Sequence, residues 1–344
     1  MNIREVARLA KVSTATVSRT INGSDKVTPK TRERVQRAIE ELRFYPNTWA
    51  RALGSGRSSL YGLIISDITN PFFPELVKSF EDMAVQHGQE VLVANTSYDP
   101  ARMEVCVSRM LQRKVDGVAI MTSEMDERLI TEFESRGIPL VFLDTGLVHA
   151  LASNILVDYA AGVDAALEHI TGLGHERIAF IAGPSTLRSA RIRREAYTRF
   201  MEERNLGPAI VEQGNHQVMG GHEAMERLLD AKPRPTAVLA SNDMTAIGAL
   251  GAIHERGLRV PGEISIAGFD DIAISAFTHP ALTTVRLSRE EIARLAFRAL
   301  YASRDGAAGA EFTVRPALIV RRSTGPAAGA HGKHVRQHAA ASQT

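Results

Sequence analysis

From residue 60 onward the chain repeats one pattern: a short, uninterrupted apolar run, then a longer stretch with helical spacing. The runs fall at 61–66, 90–94, 117–121, 139–143, 154–157, 177–182, 236–240 and 264–267. A strand that is apolar at successive positions is covered on both faces, and intervening helices supply the cover. The pattern predicts an α/β fold with doubly wound parallel sheets. It occurs as two similar series, one before about residue 158 and one after, which predicts two lobes around a cleft.

Ligands of such folds bind beyond the carboxyl ends of the strands, so the residues just after each run are the informative ones. Asp67-Ile68-Thr69-Asn70-Pro71-Phe72-Phe73 follows the first run and Asp144 the fourth. The sixth leads into a stretch from Gly183 to Arg193, the seventh into Ser241-Asn242-Asp243, and the eighth into Phe269-Asp270-Asp271. Carboxylates and amides accept hydroxyl protons, a guanidinium donates in a fork, and aromatic faces cover the apolar side of a sugar. One rim carrying all of these suits a polyhydroxylated ligand. Singly, each has a plainer reading, since an Asp after a strand is often a turn or helix cap.

The first 60 residues differ in kind. Asn2 and Glu5 form a capping box for a helix with Ile3, Val6, Ala7 and Ala10 on its apolar face. Lys11-Val12 makes a tight turn, and Ser13 caps a second helix from Thr14 to about Asn22. Val17 and Ile21 face inward on it, and Thr14, Ala15, Ser18 and Arg19 face outward near its N-terminal end. A third helix follows, with Thr28 as cap and Pro29 at its first position. This is the layout of a helix-turn-helix, whose second helix reads bases in the DNA major groove; a plain helical hairpin shares the spacing. Charge favours the former. Residues 1–60 hold 12 Lys/Arg against 5 Asp/Glu, a net charge of +7 in a chain whose total is +2, leaving −5 on the rest.

Ile3-Arg4-Glu5-Val6-Ala7, the run from Val12 to Arg19, Ile21-Asn22-Gly23 and Tyr45-Pro46-Asn47 closely resemble the N-terminal signature of the LacI/GalR family of bacterial repressors. The resemblance continues to about residue 324. It implies a DNA-binding head at 1–46, a hinge helix and linker at 47–58, and a two-lobed, periplasmic-binding-protein-like effector and dimerisation core at 59–324. It implies DNA contacts from Thr14, Ala15, Thr16, Ser18, Arg19 and Asn22, and from Tyr45, Asn47, Ala50 and Leu53. In the family a leucine of the hinge helix enters the minor groove, and Leu53 is the matching position. A helix as short as 47–53 is unstable alone, so it is expected to form only on DNA. The matching effector positions are Phe72, Phe73, Asp144, Arg191, His216, Asn242 and Asp270. The implied function is a regulator, most simply a repressor, of a palindromic double-stranded operator, acting as a homodimer under a small effector. A sugar is the first expectation for that effector and a purine the alternative.

Other functions find less support. A sugar-binding protein without a regulatory role would lack the head, and no secretory leader is visible at the N-terminus. No run of 18 apolar residues suggests a membrane span, and Cys106 has no partner for an internal disulfide, so a cytoplasmic location is expected. No G-x-S-x-G elbow, Walker loop or zinc-protease motif points to an enzyme, and no cofactor or designed metal site is expected. Gly172-Leu173-Gly174-His175 precedes a strand and reads as a helix end. Residues 325–344 are rich in Ala, Gly, Gln and His, lack the leucine heptad that makes some family members tetramers, and are expected to be a disordered tail.

Overall fold

The structure, a computed structural model, describes residues 2–21, 24–44, 57–122 and 125–327. Helix α1 (Ile3–Leu9) opens with the expected capping box: Asn2 accepts from the Arg4 and Glu5 amides, and Glu5 from the Asn2 amide. Lys11, at φ 53, makes the turn into α2 (Thr14–Ile21), where Ser13 Oγ accepts from the Thr16 amide at 3.1 Å. α3 (Pro29–Glu41) closes a core of Val6, Ala7, Ala10, Val17, Val35 and Ala38. Arg34 of α3 donates to the carbonyls of Ala10 and Lys11, which the turn leaves without helical partners.

The body holds two six-stranded sheets. Its elements run β1 (Leu60–Ile65), α4 (Phe72–Gln86), β2 (Glu90–Asn95), α5 (Pro100–Gln112), β3 (Gly117–Met121), α6 (Glu127–Glu134), β4 (Leu140–Leu143) and β5 (Ala152–Val157). Then come α7 (Tyr159–Gly172), β6 (Ile178–Ala182), α8 (Arg188–Glu203), β7 (Ile210–Gln213), α9 (Val218–Asp230), β8 (Ala237–Ala240), α10 (Asp243–Glu255) and β9 (Ser265–Asp270). A 3₁₀ turn (Ala273–Ala276), β10 (Thr283–Arg286), α11 (Arg289–Ser303), β11 (Glu311–Val314) and β12 (Ala317–Ile319) complete it. The first sheet has the order β11-β5-β4-β3-β1-β2 and the second β12-β10-β9-β8-β6-β7. Every pairing is parallel except that of β12 with β10.

The lobes are not consecutive halves of the chain. After β10 the chain returns to the first lobe, where α11 packs on α4 and sets Phe297 against Tyr61 and Phe80. β11 then adds to the edge beside β5, and β12 goes back to the second sheet. Three connections therefore cross between lobes, at 158, 287–288 and 315–316. The described chain also runs past 324. Gly325 accepts from buried His175, and the Ala327 amide donates to Leu173 at the end of α7. The helix end read from Gly172 to His175 is observed, with Gly174 at φ 85. Cys106 is buried on α5.

Candidate functional site

In each sheet the first strand of its series lies between the next two, β1 between β2 and β3, and β6 between β7 and β8. A crevice opens at such a switch in strand order, because the following connections leave on opposite faces. The carboxyl ends of β1, β3 and β4 face those of β6, β8 and β9 across one solvent-open cleft of about 660 Å³.

The first lobe supplies an apolar wall. Phe72 and Phe73 begin α4 and meet edge to face at 5.3 Å, held by Asn70, whose side chain accepts from the Phe72 amide. Asp144 sits at φ 61, and its carboxylate accepts from the Val157 amide (2.8 Å) and the Tyr159 hydroxyl (2.7 Å). Burial raises its pKa against the pull of these hydrogen bonds. Thr122, just after β3, has a buried hydroxyl without a hydrogen-bond partner among the described residues.

Arg193 of α8 dominates the second lobe. Its guanidinium lies over the rings of Phe269 (4.1 Å) and Tyr159 (4.7 Å), and its Nη1 donates to the Ser241 carbonyl at 2.5 Å. Its Nε is buried and has no hydrogen-bond partner among the described residues. Asp270, at φ 112, places a carboxylate oxygen 3.7 Å from Nη2. Burial pushes Asp270 up to about 6, while Arg193 and Arg289 pull it down. Beneath it Asp243 accepts from the Ile272 amide, Ser275 and Thr284, and burial together with the nearby Asp270 charge raises it to about 7.

His216, at φ 64, lies 2.8 Å from Ser241 Oγ through Nε2. Burial, and then the Arg193 charge, lowers its pKa to about 3, so the ring is neutral at physiological pH. It packs directly on Gly183, where a Cβ would sit 1.9 Å from Nε2. Asn242 caps α10 through the Thr245 amide and donates to the His216 carbonyl. The cleft thus offers a donor fork beside an acceptor, a neutral ring and an apolar wall, a combination that suits a small ligand with several polar groups.

On the head, Thr14, Ala15 and Arg19 are exposed along α2, while Thr16 and Ser18 are half-buried. The Thr16 hydroxyl is engaged with Ser13 at 2.9 Å. Asn22, Tyr45, Asn47, Ala50 and Leu53, and with them the expected hinge helix, lie outside the described residues.

Known proteins share this arrangement. Residues 2–47 match the model of bacterial regulatory proteins of the lacI family, and residues 167–324 that of a periplasmic binding protein-like domain. The HTH-type transcriptional repressor PurR of Haemophilus influenzae is 33% identical over 332 residues, covering 93% of this chain and 98% of the relative. The chain belongs to the LacI family. This LacI-family chain is a DNA-binding transcriptional regulator and not an enzyme. Its fold matches the lac repressor dimer bound to operator and the anti-inducer ONPF, with a TM-score of 0.81, 29% identity and coverage of 94% of this chain and 99% of that one. It also matches a complex of the transcriptional regulator CelR with cellobiose (TM-score 0.70, 28% identity, 94% and 99% coverage).

Of the cleft residues expected in this LacI-family chain, Phe72, Phe73, Asp144, His216, Asn242 and Asp270 do line the cleft, and Arg191 does not. Arg191 is exposed, its guanidinium turned back onto the carbonyls of Ser185 and Thr186. Arg193 takes the place assigned to it. The reason is helical phase: Ala190, Ala196, Tyr197, Phe200 and Met201 form the buried stripe of α8, and Arg193 falls on that stripe. The apolar spacing already carried this signal. Ser66, Thr122, Tyr159 and Ser189 also line the cleft and were not expected. Thr122 directly follows the third apolar run and Ser189 lies in the stretch after the sixth, so both shared the after-strand signal; Ser66 closes the first run, and Tyr159 comes two residues after the fifth.

Proposed function

We propose that this regulator is a repressor whose operator binding is controlled by a small polyhydroxylated effector, a sugar or sugar derivative, held between the lobes. One observation carries the reading: the Arg193 guanidinium and the Asp270 carboxylate both line the cleft and stand 3.7 Å apart without a hydrogen bond between them. Two neighbouring hydroxyls fit that pair, one oxygen accepting from Arg193 and the adjacent O–H donating to Asp270. The matching structure of CelR with cellobiose supports a sugar. A purine is the second reading, favoured by the Phe72–Phe73 wall and by relatives that are PurR repressors. A ring N–H could donate to Asp270 while the base packs on the phenylalanines.

Calorimetric titration of the full chain with aldoses, disaccharides, sugar acids and purine bases tests this directly. Saturable heat from a sugar, lost in Asp270→Ala, is the expected result. Saturable heat from purines alone overturns the sugar reading and leaves the purine one.

On the DNA side the proposal assigns base reading to Thr14, Ala15 and Arg19, with Thr16 and Ser18 beside them, in the cytoplasm where operator DNA lies. One head spans one half-site, so a palindromic operator calls for a two-fold dimer. The second lobe exposes Met219, Ile274 and Phe277, the last 77% exposed, as apolar surface for such an interface. Light scattering is expected to give a dimer that survives deletion of residues 328–344.

A further inference from the structure

We propose that Asp116 is the positioning residue that couples the cleft to the segment leading in from the DNA-binding head. It lies 28 residues before Asp144 and outside the cleft, just ahead of β3. One carboxylate oxygen accepts from the Ser58 amide (2.9 Å) and the Ser58 hydroxyl (3.0 Å), and the other from the Ser59 amide (2.9 Å). Two successive amides on one carboxylate impose a tight bend, and Ser59 accordingly stands at φ 56, a region that non-glycine residues disfavour. The Asp116 amide in turn donates to the Leu60 carbonyl at 2.7 Å, so the incoming chain is tied from both sides.

What lies beyond the clamp gives it meaning. β1 and β3 are direct parallel neighbours, in register from Tyr61 with Gly117 to Ile65 with Met121. Both start at the clamp, and both end in the cleft, at Ser66 and at Met121–Thr122. Five residues of strand span about 16 Å, and both strands are buried, so displacement at one end is carried to the other. A second rigid element makes the same connection. At its first residue α11 grips the second lobe, with Arg289 donating to the carbonyls of Asp270 (2.5 Å) and Asp271 (2.8 Å). Just past its far end, the Arg304 carbonyl accepts from Arg57 at 3.1 Å. Leu300 of α11 packs on Gly117, where a Cβ would meet it at 3.0 Å, so helix and strand are in close contact beside the clamp. A change of lobe angle therefore arrives at residues 57–59 through two parts that meet there, and Asp116 converts it into the path of the incoming chain.

This inference rests on the cleft being the effector site, yet its test needs no effector, so it can fail while the titrations above succeed. Coupling between sites is reciprocal: if the cleft acts on DNA binding, DNA must act on the cleft. The probe is a palindromic duplex selected by the wild-type protein from a randomised pool, and the readouts are its affinity and amide hydrogen exchange with and without DNA. In the wild type, bound duplex is expected to alter exchange at Ser66 and at 121–122. Asp116→Ala is expected to abolish that response, to expose the Ser58 and Ser59 amides, and to lower duplex affinity roughly tenfold, within the usual range of site-to-site coupling. Protection across the rest of the first sheet is expected to stay. A variant with wild-type affinity, or one whose cleft still responds to DNA, overturns the proposal. So does a uniform loss of protection through the sheet, which would make Asp116 a fold-holding residue only. Should the alanine variant not fold, Asp116→Asn, which keeps one acceptor oxygen, carries the same comparison.

Discussion

Arg193 and Asp270 lie 3.7 Å apart between the lobes, close enough to pair electrostatically and too far apart to hydrogen-bond. Each is held by something other than its counterpart: Arg193 by the Ser241 carbonyl and two aromatic faces, and Asp270 by backbone that Arg289 fixes. A buried ion pair of this kind adds little net stability.

That geometry separates two arginines only two residues apart. Arg191→Ala removes a guanidinium bonded to outer carbonyls and is expected to leave effector affinity within about twofold, since it loses no contact to ligand. Arg193→Ala is expected to cost on the order of 1.5–3 kcal/mol of effector binding, the range for a hydrogen bond from a charged group. It should also destabilise the core, because buried Asp270 loses the stronger of its two counter-charges and keeps only Arg289. Isothermal calorimetry beside thermal melts checks both, and equal effector affinities in the two variants would refute the assignment.

Asp243 and Asp270 make part of the stability fall as pH rises. Both have folded-state pKa values raised chiefly by burial, to about 7 and about 6 from the ordinary 3.8. The folded protein therefore holds these protons over a range where the unfolded chain has released them. Their contribution is complete below the ordinary carboxylate pKa and is lost as pH climbs through 6 to 7. Asp270→Asn should remove part of this slope and gain on the wild type between about pH 4 and 7, by a few kcal/mol at most. Urea unfolding midpoints across that range measure it, and parallel curves for the two proteins would exclude the effect.

Gly183 is required by its neighbour and not by its own backbone. Any side chain there collides with the imidazole of His216. Gly183→Ala should displace the ring, break its contact with Ser241 and weaken effector binding while the head still binds DNA. Gel-shift and calorimetry on the same preparation test this, and unchanged effector affinity would mean that His216 takes no part in binding.

For the head, Arg19→Ala is expected to cost roughly 1–3 kcal/mol on the preferred operator and to relax sequence choice at one position, the signature of a base contact. An equal loss on every duplex would reassign Arg19 to the phosphate backbone.

The parts of this molecule legible in its sequence are those set by short-range periodicity. Eight apolar runs marked eight strands, and the Asn2, Ser13 and Thr28 caps marked the starts of the head's helices. The strands at Ile210–Gln213, Thr283–Arg286, Glu311–Val314 and Ala317–Ile319 were missed, since each is short, two of them are sheet edges that carry polar or charged residues, and Thr283–Arg286 buries two threonines where an apolar run was looked for. Their membership is also non-local: nothing within Glu311–Val314 says that it pairs with a strand some 150 residues earlier. In the cleft, residue types after strands were readable, but their side-chain partners were not. Asp144 and Asn242 looked like ligand acceptors, and much of their hydrogen-bonding capacity is spent on Val157, Tyr159 and Thr245.

The interleaving of the lobes has a consequence for how the protein is made. The head's packed core is complete once Phe44 has been synthesised, and it can fold while the ribosome is still working. The first sheet cannot follow it. The helix that covers its face and the strand that closes its edge are encoded after residue 288, beyond nearly the whole second lobe. At about 5–20 residues per second the early strands wait roughly 8–30 s between the end of β5 and the appearance of β11. Throughout that interval the nascent chain carries a finished DNA-binding head on an unfinished body, with the apolar surfaces of Tyr61 and Phe80 awaiting Phe297.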